Sequence, residues 1–225
     1  MKIKNIGNIN FDDENFVRPG FKNEEKSLNK YTPDNVWHLR SDRATTPTDF
    51  RQKVLSDIWE QDFIDKCEKV LEIGFGCGRN AQFFMNETKH IKFYGFDASP
   101  VGLKYFKAQQ FSEDRYYVSL DIDEEILSQK YDLIFSTYVL QHIGFLDDID
   151  FYDANRITQV LWPTLKNGGY WMCHEGNSGD NRWSPSVWLS NLNIVKYNFK
   201  LLYNEVCGLV GSAGGDHNLI VLRKS

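Results

Sequence analysis

The sequence predicts an α/β fold: a mainly parallel, seven-stranded sheet with helices on both faces and an antiparallel hairpin at the C-terminus. Three observations carry this. From Lys69 onward, short apolar runs alternate with amphipathic segments, the pattern of parallel strands joined by crossover helices. The run 131–136 is continuously apolar in its interior, as a strand buried on both faces should be. The last two apolar runs, 199–207 and 218–223, are joined through Gly211-Ser212-Ala213-Gly214-Gly215, which reads as a hairpin.

Taken in order, residues 1–47 lack clean periodicity. Phe11, Phe16, Phe21, Tyr31 and Trp37 sit there among polar neighbours, so this stretch is expected to fold over something as a lid or substrate-side segment. Residues 48–225 are read as a single domain. Pro47-Thr48-Asp49 opens a helix over 48–66, whose apolar face is Phe50, Val54, Leu55, Ile58, Trp59 and Phe63. A strand over 69–73 leads through a glycine-rich turn into a helix over 80–86. Strand 91–96 and helix 100–110 follow, then strands 116–120 and 131–136. A helix over 152–165 carries Pro163, which marks a kink or an early end. Asn167-Gly168-Gly169 is its expected glycine stop, with strand 169–174 beyond it.

The chain has 225 residues, 41% hydrophobic and 25% charged, the make-up of an ordinary globular domain. No apolar run approaches the roughly 18–20 residues that span a bilayer, and Met1-Lys2-Ile3-Lys4-Asn5 is followed by no secretory apolar stretch. A net charge of -5 disfavours a nucleic-acid partner, because phosphate binding draws on a concentrated basic face. Cys67, Cys77, Cys173 and Cys207 form no CxxC pair. They are read as reduced thiols of a cytoplasmic protein, with neither a metal site nor a disulfide framework.

The strongest motif is Val70-Leu71-Glu72-Ile73-Gly74-Phe75-Gly76-Cys77-Gly78-Arg79-Asn80. Three glycines at alternate positions strip side chains from the backbone where a strand becomes a helix. A ligand can lie against such a main chain, near the helix N-terminus. Asp97 closes the next strand about 20 residues on, the distance at which a carboxylate reaches both hydroxyls of a ribose. Dinucleotide sites ask for G-x-G-x-x-G, whose third glycine would fall at position 79. Arg79 stands there, and its bulk opposes the close approach that a pyrophosphate site needs.

The pattern Glu72-x-Gly74-x-Gly76-x-Gly78 resembles instead the first motif of class I S-adenosylmethionine-dependent methyltransferases, whose fold is Rossmann-like. The resemblance runs over about Val70 to Gly176. It implies that Glu72 helps hold the methionine part of S-adenosylmethionine, that Asp97 takes the ribose, and that Asp121-Ile122 faces the adenine. Residues 131–136 with Thr137-Tyr138-Val139-Leu140-Gln141-His142-Ile143 look like the fourth motif of the small-molecule branch, which puts Ser136 at the cofactor. Asn167-Gly168-Gly169-Tyr170-Trp171 resembles the glycine turn that opens the fifth strand.

The implied activity is methyl transfer to an oxygen or nitrogen of a small metabolite, with a sugar or cell-surface glycan precursor in view. Acceptor-side groups should project from the carboxyl ends of the fourth and fifth strands. His142 is the first candidate for a general base and Glu175 the second, with His217 able to reach the same edge. Trp37-His38-Leu39-Arg40-Ser41-Asp42-Arg43 mixes aromatic and basic groups suited to an anionic or sugar-like acceptor; a packed surface segment is the plainer reading. Trp183 and Trp188 read either as an acceptor wall or as a hydrophobic cluster. Ser136-Thr137-Tyr138-Val139 stands where a DNA methyltransferase carries Asp/Asn-Pro-Pro-Tyr, and no cysteine follows a proline. DNA methylation is therefore disfavoured. The alternative from another class is a protein that binds S-adenosylmethionine or S-adenosylhomocysteine without chemistry, and a nicotinamide oxidoreductase ranks third.

Overall fold

A computed structural model describes residues 5–6, 9–10, 63–76, 78–97, 100–137, 139–140, 152–176, 188–189, 192, 197–207 and 217–225. In the segment 1–47 the described residues form β1 (Asn5–Ile6) and β2 (Ile9–Asn10), an antiparallel pair with Ile6 opposite Ile9. Of the helix expected over 48–66, the described part is α1 (Phe63–Lys66). The remaining elements are β3 (Lys69–Ile73), α2 (Arg79–Glu87), β4 (Lys92–Phe96), α3 (Pro100–Ala108), β5 (Tyr116–Ser119), α4 (Glu124–Ser128), β6 (Tyr131–Thr137), α5 (Tyr152–Leu161), β7 (Leu165–Gly176), β8 (Phe199–Cys207) and β9 (His217–Lys224).

Strands β3 to β9 form one seven-stranded sheet in the order β5-β4-β3-β6-β7-β9-β8. Strands β3 to β7 pair in parallel, and β9 is antiparallel to both β7 and β8. The predicted strand set and the C-terminal hairpin are thus both present. The chain runs outward from β3 through β4 to β5, then returns to place β6 on the other side of β3. That reversal creates a crevice at the carboxyl ends of β3 and β6, where open α/β sheets take their ligands.

Strand alternation divides the core into two layers. Leu71, Ile73, Tyr94, Ile134, Trp171, Cys173, Ile220 and Leu222 face one side, with Ile126 of α4 and Ile157 and Leu161 of α5. Val70, Phe93, Leu133, Phe135, Tyr170, Met172, Leu219 and Val221 face the other, with Ala81 and Phe84 of α2 and Phe106 of α3. Both faces are covered, so these strands tolerate apolar residues at every position.

The structure corrects one boundary. Helix α5 stops at Leu161, and a 3-10 turn, Trp162–Thr164, contains Pro163. Thr164 Oγ1 donates to the Leu161 carbonyl at 2.6 Å, closing the turn where proline ends the helical ladder. Strand β7 therefore begins at Leu165, and Asn167-Gly168-Gly169 lies inside it rather than capping a helix. Pairing with β6 slips between Tyr131↔Leu165 and Leu133↔Tyr170, and Gly168 takes a φ of 77° there. The glycine pair makes a bulge: a Cβ on Gly169 would lie 2.9 Å from the Lys166 carbonyl oxygen.

Helix α4 is an element that the strand and helix spacing did not predict. Asp123 caps it, with its side chain accepting from the Ile126 N–H at 3.1 Å, and Glu124 and Glu125 occupy its first turn, where acids complement the helix dipole. Among the described residues no helix is long and apolar enough to cross a membrane.

Candidate functional site

The turn after β3 depends on glycine at successive alternate positions for different reasons. Gly74 has φ 74°, and a Cβ there would lie 2.3 Å from Val139 Cγ2, just past β6. The close approach of two chain segments excludes a side chain. Gly76 has φ 55°, yet a Cβ there would meet nothing within 4 Å. The side chain missing at Gly76 leaves open space above the main chain. Gly78 is the N-cap of α2, and Phe106 of α3 packs against it. The turn is tied down by the Gly74 N–H donating to the Phe96 carbonyl at 2.8 Å and the Gly78 N–H to the Phe75 carbonyl at 2.9 Å.

Two buried acids flank the turn, Glu72 and Asp97, each 2% exposed. Asp97 Oδ2 accepts the Gly76 N–H at 2.7 Å, so the acid beyond β4 holds the middle of the glycine turn. Registers Ile73↔Phe96 and Phe96↔Ser119 align the ends of β3, β4 and β5. Gly74, Asp97 and Asp121-Ile122 therefore follow one another along the carboxyl edge. The Asp121 N–H donates to Ser119 Oγ at 3.2 Å. Ile122 is 1% exposed and belongs to the core layer that faces α4 and α5.

Glu72 belongs to a network that sequence reasoning missed. Asn80, at the start of α2, donates from Nδ2 to Glu72 Oε1 at 2.5 Å and to Thr137 Oγ1 at 3.3 Å. The available signal was a polar residue among the apolar positions of α2 immediately after the glycines. Thr137 ends β6 and pairs with His174 of β7, so Glu72, Thr137 and His174 share one face of the sheet.

The opposite face of the same edge carries Ser136, Cys173 and Glu175. Ser136 and Glu175 are both fully buried, and Ser136 Oγ donates to Glu175 Oε1 at 2.7 Å. Burial, and then the Glu175 charge, push the Cys173 thiol well above the usual thiol range. Glu175 lies within β7, opposite Asn218 of β9, and is not on a loop. Backbone pairing puts His217 opposite both Gly176 and Cys207, at the same edge. His142, the stretch Trp37–Arg43 and Trp183 lie outside the described residues. Trp188 is 1% exposed, and its Nε1 donates to Thr158 Oγ1 of α5 at 3.2 Å, which places it in the core rather than on an open wall. Among the described residues no cluster of His, Cys, Asp and Glu could hold a metal ion.

Residues 71–170 match a family model described as a methyltransferase domain. No curated protein matches the sequence. The fold is similar to that of an S-adenosylmethionine-dependent methyltransferase from Clostridium acetobutylicum. The TM-score is 0.59 at 13% identity over 89% of this chain and 98% of that one. It is also similar to the 16S rRNA methylase ArmA, with TM-score 0.53 at 15% identity over 91% and 100%. The glycopeptide N-methyltransferase MtfA complexed with S-adenosylmethionine scores 0.52 at 14% identity over 70% and 87%. The matched residues run from within β3 to within β7 and include the glycine turn and the sheet reversal beside it. By that match residues 71–170 carry a methyltransferase domain, and the sheet around it has the fold of S-adenosylmethionine-dependent methyltransferases, with S-adenosylmethionine as the methyl donor.

Proposed function

We propose that this enzyme methylates an oxygen or nitrogen of a small metabolite, with sugars and glycan precursors the first class to test. The observation that carries the donor half is the open space over Gly76, bordered by the carboxylate of Asp97. In this reading Gly74, Gly76 and Gly78 provide the bare backbone and Asp97 accepts from the ribose. Asp121 and Ile122 border the adenine, and Glu72 faces the amino-acid end. Ser136 spends its hydroxyl on Glu175, so its share is to place the end of β6. S-adenosylmethionine supplies a methyl carbon made electrophilic by its sulfonium.

The protein's own task is to orient the acceptor atom, exclude water and take up the acceptor's proton. Orientation can remove about 7–11 kcal/mol of a barrier in favourable cases. For the proton, His142 and Glu175 are the assigned bases; a general base contributes about 10²–10⁴-fold. Residues 1–47 are assigned to cover the acceptor. The small-acceptor half is supported by the net charge of -5, which repels a polyanion at long range. Buried free thiols at Cys67 and Cys173 accord with a reducing cytoplasm.

The test is a screen of nucleotide sugars, amines, small acids and structured RNA with isotopically labelled S-adenosylmethionine. Label is expected in a small acceptor. Transfer confined to RNA would overturn the small-metabolite reading. His142→Ala and Glu175→Gln then separate the two bases, and turnover unchanged in one removes that residue from the mechanism.

A further inference from the structure

The amide of Asn80 joins three separate segments: the end of β3 through Glu72, the start of α2, and the last residue of β6 through Thr137. Its orientation is dictated by its partners. An ionised carboxylate only accepts, so the nitrogen side of the amide must face Glu72, and the two N–H bonds of that nitrogen match the two acceptors. Both side chains are buried, with Glu72 2% and Asn80 8% exposed. Burying a carboxylate is costly unless hydrogen bonds stabilise its charge, and a bond from a neutral donor to a charged acceptor is among the stronger ones. The amide thus gives Glu72 Oε1 a hydrogen bond while carrying no charge of its own. A buried negative charge beside bare backbone attracts a ligand's cationic group.

We propose that Asn80 is a positioning residue of the donor seat. It fixes the Glu72 carboxyl group on the side that takes the α-ammonium of the donor's amino-acid portion, and through Thr137 it sets the distance from that group to the end of β6. The proposal rests on the donor-seat reading above and adds a specificity role: Asn80 determines how strongly the amino-acid end is bound, not the nucleoside end.

The test compares two probes by calorimetry. S-adenosylhomocysteine carries the α-ammonium, and 5′-methylthioadenosine has the same thioether nucleoside without the amino acid. Asn80→Ala and Asn80→Asp are expected to weaken S-adenosylhomocysteine by about tenfold or more, the scale of a lost hydrogen bond to a charged group. Binding of 5′-methylthioadenosine should stay as in the unaltered chain. A merely structural role would lower both affinities together, and that result, or no change in either, overturns the proposal. If neither Asn80 variant folds, Thr137→Val carries the same comparison: a selective loss of about fivefold is expected, and an equal or absent loss overturns it. Failure of the unaltered chain to bind either probe would overturn the donor seat itself, which separates the two readings.

Discussion

Single residues at the glycine turn separate folding from binding. Gly74 and Gly76 share left-handed backbone, which costs an L side chain roughly 1–2 kcal/mol, but their surroundings differ. Gly76→Ala places its methyl group in open space, so stability should fall by only about that amount. Affinity for S-adenosylhomocysteine should fall further, because the methyl group takes ligand volume. Gly74→Ala adds a collision with Val139, and its stability loss should exceed that of Gly76→Ala by about 1–3 kcal/mol. Denaturant melts and calorimetry on both variants check the ordering; equal stability losses would show that the Val139 contact does not constrain Gly74.

The thiols give a second prediction on this scale. Burial, reinforced by the Asp132 carboxylate, raises Cys67 from about 9 to about 12. A raised thiol pKa leaves the neutral form dominant below it, and the thiolate is the reactive species. At pH 8 the native protein should therefore resist iodoacetamide at Cys67 and at Cys173, and unfolding should expose both. Peptide mapping by mass spectrometry reads this directly. Rapid native labelling at Cys67 would contradict its burial.

Among the elements, the start of β3 hangs on one side chain of β6. Asp132 Oδ2 accepts the backbone N–H groups of Glu68 at 2.9 Å and Lys69 at 3.0 Å, and Asp132 Oδ1 lies 2.8 Å from Lys166 Nζ at the start of β7. One carboxylate thus ties three adjacent strands at the edge opposite the glycine turn. Asp132→Ala should destabilise the fold by about 1–3 kcal/mol, mainly through the two N–H groups left without their acceptor. Lys166→Ala should cost less than 1 kcal/mol, because its ammonium is a third exposed and water screens the pair. Urea denaturation of the two variants distinguishes them, and a larger loss from Lys166→Ala would reverse the argument. The segment after α5 teaches a related lesson about reading elements. Asn167-Gly168-Gly169 has the composition of a helix stop, yet Pro163 ends the helix first and the glycines serve a bulge in β7.

On the scale of the whole molecule, a ligand that binds only the folded chain stabilises all of it. S-adenosylhomocysteine at 100 times its Kd should add about 2.7 kcal/mol to unfolding, seen as a rise in melting temperature. NAD at the same concentration should add nothing. A shift with NAD and none with S-adenosylhomocysteine would be incompatible with the donor assignment.

The strand list, the hairpin and the glycine crevice were legible before any coordinates, because hydrophobic period and glycine spacing are local properties of the chain. The positions of Glu72 and Asp97 beside the glycine turn were legible for the same reason, each lying at a strand end marked by its neighbours. The pairing of polar groups was not. Asn80 meets Thr137 across 57 residues, and Ser136 meets Glu175 across 39. Each meeting requires β6 to lie beside β3 and β7 in one particular register. Strand order and register emerge from packing both faces of the sheet at once, and a one-residue slip of a strand would turn Thr137, Ser136 or Glu175 to the opposite layer, away from its partner.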